Sequence, residues 1–72
     1  MNLIRDARFH KRMSQMLLFK KTGIWPSRIS YIENGYMEPN DKEKSKLSKA
    51  LEVEIEELFP LEQGHQDGSK GA

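Results

Sequence analysis

An all-α fold of five short helices is predicted for this 72-residue chain, and three observations predict it. Apolar residues recur at three- and four-residue spacing. Helix punctuation stands at regular intervals: Ser14, Pro26 and Asn40 suit helix starts, whereas Gly23, Gly35 and Pro60 suit stops. The stretch Ser14 to Pro39, SQMLLFKKTGIWPSRISYIENGYMEP, holds two helical patterns of about eight residues on either side of a tight turn at Thr22-Gly23-Ile24.

The first helix is expected from about Leu3 to Arg12, with Asn2 as N-cap and Leu3, Ile4 and Ala7 as its apolar stripe. Ser14 caps the second helix, with Met13 placed before it as a hydrophobic staple. That helix ends at Gly23, where the left-handed conformation allows a sharp exit. Ile24 returns to the core. Trp25-Pro26 then opens the third helix, since Pro fits the first helical position and pushes its predecessor into an extended conformation. Ile29 and Ile32 form the buried stripe of this helix; Ser27, Arg28 and Tyr31 share the outward side. Gly35 stops it. Asn40 or Asp41 caps a fourth helix reaching Leu51 or Glu52, with Leu47, Ala50 and Leu51 apolar. Its first turns, polar all round, are expected to fray. A short fifth helix spans Glu54 to Phe59, with Ile55, Leu58 and Phe59 inward, and Pro60 ends it. Residues 1–60 thus read as one domain, and 61–72, rich in Gly, Ser, Gln and charge, as a disordered tail.

Size and composition narrow the function. A chain of this length buries only about 60% of the surface its unfolded form exposes, so the core is marginal and self-association is expected to help. The absence of cysteine rules out disulfides and thiolate metal sites. His10 and His65 stand far apart, which argues against zinc; no cofactor is expected. The longest apolar run, Met16 to Phe19, is four residues, so neither a signal peptide nor a membrane span is expected, and the default location is cytoplasmic. No nucleophile–His–carboxylate arrangement or Gly-rich phosphate loop is present, which argues against an enzyme. Net charge is only +1, but it is unevenly placed. Residues 1–32 carry seven basic groups against one acid, a net +6, and residues 33–72 carry five against ten, a net −5. A cationic N-terminal face that would attract an anionic polymer is the expectation.

Two short helices joined by about four residues with a Gly in the turn make a helix-turn-helix, whose second helix presents its N-terminal end to a DNA major groove. Further residues carry a closer resemblance: Ile4-Arg5-Asp6-Ala7-Arg8, Ser14-Gln15, Thr22-Gly23-Ile24, Ile29 through Gly35, Ala50-Leu51-Glu52-Val53 and Glu57-Leu58-Phe59. Taken in order, over about Leu3 to Phe59, they resemble the Cro/cI-type (XRE) DNA-binding family, with its compact lambda-repressor-like five-helix fold. The resemblance implies that Gln15 contacts a phosphate, that Arg8 and Glu33 form an interior ion pair, and that bases are read from Trp25, Pro26, Ser27, Arg28 and Tyr31. Asn34 and Tyr36 complete the set expected to touch DNA. It also implies a homodimer on a near-palindromic operator, pairing through the fifth helix and Leu61, and acting as a repressor.

Several positions depart from the family's pattern. Pro26 offers no donor where glutamine is common, and Tyr31 suits bidentate base recognition poorly. Arg28 is the best available partner for a guanine edge. Trp25 replaces a Ser/Thr cap; it either packs against sugars or a thymine methyl, or covers the turn. Tyr36 and Met37 stand where the family often carries Lys or Arg. Phe19 occupies a position normally Ala, and Ala7 one normally Leu, so a volume exchange between them is expected. Met16 and Leu17, in places that usually carry charge, form with Phe9 either an exposed apolar surface or extra local packing. The first option is the alternative reading: a protein-binding adaptor or antitoxin-like module on the same fold.

Overall fold

The computed structural model describes residues 2–60, and the expected tail and Leu61 lie outside them. Five helices follow in order: α1 (Ile4–His10), α2 (Gln15–Thr22), α3 (Pro26–Glu33), α4 (Asp41–Leu51) and α5 (Ile55–Leu58). No strand occurs among the described residues. The longest helix, α4, packs against α1, α2 and α5, while α2 packs on α3. Ile4, Leu18, Ile29, Ile32, Leu47, Leu51, Leu58 and Phe59 form the fully buried centre. Met13 and Ile24, from the α1–α2 and α2–α3 connections, close it.

Local chemistry explains the boundaries. Ser14 Oγ accepts the Leu17 N–H at 3.0 Å, capping α2. At the other end Gly23 takes φ 79°, and its N–H donates to Phe19 O. Buried Thr22 shapes the turn: its hydroxyl donates to Leu18 O at 2.7 Å and accepts from Ile24 N–H at 3.1 Å. After α3, Gly35 is also left-handed at φ 81°, so Gly35 N–H reaches Ile32 O and Tyr36 N–H reaches Tyr31 O, in the pattern that closes a helix C-terminus.

Four expectations need correction. Leu3 does not belong to the buried stripe of α1; it is partly exposed just before the helix, with its N–H donating to Leu58 O at 2.9 Å. Asn2 is not the N-cap of α1, which falls at Leu3 without a side-chain cap. Its Oδ1 accepts the Ile4 N–H at 3.2 Å, and its Nδ2 donates to Ile32 O at 2.7 Å, joining the start of α1 to the end of α3. The polar first turns of α4 are anchored. Asn40 and Glu43 form a reciprocal capping box, and the Lys44 ammonium lies 5.4 Å from the Phe59 ring centroid. The proposed exchange between Phe19 and Ala7 is replaced by another arrangement. The Phe19 ring stacks on Trp25, centroids 4.9 Å apart, and Ala7 instead borders an open apolar groove with Leu3, Leu51, Val53 and Leu58.

The polar centre of the domain is Glu33, whose side chain is 0% exposed beside an Arg8 side chain only 8% exposed. Arg8 Nε donates to Glu33 Oε2 at 2.8 Å, and another guanidinium nitrogen reaches Oε1 at 3.3 Å. The third nitrogen donates to Met13 O at 3.0 Å. Every nitrogen of the buried cation therefore has an acceptor. Replacing Arg8 by Ala should destabilise the domain by about 3 kcal/mol or more, because Glu33 would be left buried without its main counter-charge. Urea unfolding followed by far-UV dichroism checks this; a loss under about 1 kcal/mol would mean that Gln15 and Arg5 alone satisfy the carboxylate.

Candidate nucleic-acid interface

The outward surface of α3 is held up by the groups beneath it. Ile29 and Ile32 anchor its inner face in the core, and Glu33 at its last turn is tied to α1 and α2. Pro26 occupies the first turn, and Trp25 supplies no side-chain cap. Ser27 and Tyr31 are left on the exposed side, with Trp25 at the N-terminal rim and Tyr36 just beyond the C-terminal end.

The polar residues named from the sequence are mostly engaged with their neighbours. Gln15 stands at the first position of α2, where free N–H groups favour anions, but its Nε2 donates to Glu33 Oε1 at 3.1 Å. A phosphate meeting this helix end finds the early backbone N–H groups and whatever remains of the Gln15 amide. Asn34 donates through Nδ2 to Ser30 O at 2.9 Å, and its Oδ1 accepts from Arg5 at 3.4 Å. Arg28 is the most tightly held. Its Nε and one terminal nitrogen donate to Glu43 at 2.7 and 3.0 Å, and the other terminal nitrogen lies 3.1 Å from Met37 Sδ. The guanidinium that the sequence offers to guanine is thus committed to α4 in the free protein.

Glu43 is the partner that sequence reasoning missed, although a signal was there. An Asn followed three residues later by Glu marks a capping box and places Glu43 at the start of α4. One carboxylate serves both ends: Oε1 accepts from Asn40 N–H at 2.9 Å as well as from Arg28.

The cationic face is thinner than its residue count implied. Arg5 and Arg8 face Glu33, Arg28 faces Glu43, and Lys11 Nζ meets Glu52 Oε1 at 2.6 Å. Nor do the two halves of the sequence form two faces. Lys21 shares a shallow depression with Lys46, Lys49 and Glu52 between α2 and α4. Arg12 and Lys20 are exposed.

What projects outward is aromatic. Trp25 is 66% exposed, Tyr31 49% and Tyr36 77%. Trp25 is backed by Phe19 with the ring planes 20° apart, and Tyr31 and Tyr36 meet edge-to-face with centroids 6.3 Å apart. Among the described residues no group of His and carboxylate side chains could hold a metal ion.

An exposed short helix seated on a second helix across a glycine turn defines a helix-turn-helix DNA-binding domain. A family profile described as helix-turn-helix matches residues 4–58, from the first residue of α1 to the last of α5. The chain belongs to the Cro/cI-type (XRE) helix-turn-helix family, whose members are DNA-binding transcription regulators. No curated protein and no solved structure gives a significant match. No helix among the described residues is long and apolar enough to cross a membrane.

The Arg28–Glu43 pair has a pH signature. The Arg28 hydrogen bonds, chiefly, together with the Asn40 N–H, hold the Glu43 carboxyl below its ordinary value of 4.5. A carboxyl lowered in the folded state contributes stability that is fully present above the ordinary value and is lost as pH falls through the folded value. Glu43→Gln keeps an acceptor for Asn40 but removes the charge. The parent should be more stable than the variant at neutral pH, with the gap closing below about pH 4.5 in urea melts. A gap independent of pH would show that the charge contributes nothing there.

Proposed function

We propose that this chain is a repressor that binds a near-palindromic duplex operator as a homodimer. The observation that carries it is the α3 surface from Trp25 to Tyr31: buried on one side through Ile29 and Ile32, exposed on the other, and rigidly tied at both ends. Such a helix can enter a major groove without rearranging the core. Gln15 and the N-terminus of α2 then face a phosphate, while Asn34 and Tyr36 lie beside the backbone at the far end.

The homodimer is supported by the groove that Leu3, Ala7, Leu51, Val53, Leu58 and Pro60 line between α1, α4 and α5. None of its lining residues comes from α2 or α3, so a second copy seated there leaves both recognition helices free. Two such helices would reach successive major grooves about 34 Å apart. Ala7→Glu places a charge in this groove. Sedimentation should then show a dimer for the parent and a monomer for the variant; a monomeric parent at micromolar concentration overturns the homodimer.

DNA binding itself is tested by mobility shift on generic duplex at about 50 mM salt, followed by a salt titration. Affinity should fall at least tenfold by about 200 mM, less steeply than for a protein whose basic groups are all unpaired. Gln15→Ala should weaken all sequences alike. A second reading rests on Phe9, Met16 and Leu17, which are exposed, one of the two outcomes the sequence left open. Failure to bind duplex at low salt, with protein binding lost in Met16→Glu, would favour a protein-binding adaptor instead.

A further inference from the structure

Reading a base pair by hydrogen bonds requires a free donor or acceptor at the end of a side chain that leaves the recognition helix. On this face such groups are scarce. Arg28 commits three of its five N–H donors to Glu43 and Met37, which hold the guanidinium plane against α4. The Gln15 amide is turned towards Glu33, and Asn34 uses both ends of its side chain on Ser30 and Arg5. Pro26 has no donor and the Ser27 hydroxyl is short, so the polar ends that reach outward are the Trp25 indole N–H and the Tyr31 hydroxyl, each on a large apolar ring.

The rings that remain are exposed and already oriented. Stacking on Phe19 fixes the plane of the Trp25 indole, and the edge-to-face contact with Tyr36 orients Tyr31. A ring held before binding loses little freedom on contact, so its apolar surface counts more fully towards affinity. The apolar feature that a major groove offers is the 5-methyl group of a pyrimidine.

We propose that α3 reads its target through pyrimidine 5-methyl groups packed against Trp25, with Phe19 as its backing, and against Tyr31. Two bases carry that methyl, thymine and 5-methylcytosine. The proposal rests on α3 entering the major groove, and it adds what the helix recognises there. Arg28 is then a positioning residue that fixes α3 against α4.

The test uses the full chain and the tightest duplex selected from a random pool. In one arm each thymine is replaced in turn by uracil, which removes only the methyl. In the other each cytosine is replaced by 5-methylcytosine. Loss of binding in the first arm, about three- to fivefold per methyl at fixed salt, identifies thymine as the source. A gain of the same size in the second identifies 5-methylcytosine. Either result supports the proposal when it disappears in Trp25→Ala or Tyr31→Ala, with far-UV dichroism confirming that these exposed-residue variants fold. Affinity unchanged in both arms overturns it, as does a methyl effect that survives in both variants. Absence of any duplex binding at low salt would instead overturn the DNA reading beneath it.

Discussion

The buried carboxylate of Glu33 is the constraint on which the rest of the structure depends. It receives Arg8 from α1 and Gln15 from α2 while sitting on the last turn of α3. Three helices thereby meet at one point beside an apolar core that is marginal at this chain length. A buried charge without partners would be costly, so this arrangement tolerates little displacement of any of the three. Asn2 adds a second tie at the same end, reaching the Ile32 carbonyl from the start of α1.

A second ion pair repeats this logic on the other side of α3. Glu43 accepts Arg28 while closing the capping box of α4. The recognition helix is therefore held near its start through Arg28 and at its end through Glu33. Both ties use up hydrogen-bonding groups that an interface for nucleic acid would otherwise present. The surface left exposed is largely aromatic, and its rings are oriented by each other rather than by hydrogen bonds. Rigidity of the scaffold and the apolar character of its outer face thus share one cause.

The helix order was legible in the residues. Ser14, Gly23, Pro26, Gly35 and Asn40 act through local backbone chemistry, and each stands at the boundary it signals. The pairing of Ile29 with Ile32 on the inner face of α3 follows from helical periodicity alone. What was not legible is which of two neighbours a side chain chooses. Phe19 could have filled the space beside Ala7, but it stacks on Trp25 and leaves a groove. Arg28 could have pointed outward, but a carboxylate fifteen residues away holds it. The net charge of a sequence half likewise says little about a face once Arg5, Arg8, Lys11 and Arg28 have each met an acid from the later half.

By itself, then, the sequence determined five helices, the boundaries marked by Ser14, Gly23, Pro26, Gly35 and Asn40, the glycine turn between α2 and α3, and the family to which the pattern belongs. These depend on backbone conformation and on periodicities that act over a few residues. Only the tertiary structure decided which polar groups of the recognition face are spent on the fold, and that the aromatic rings remain outside. Those outcomes depend on competition among partners distant in the chain, which a one-dimensional pattern does not rank.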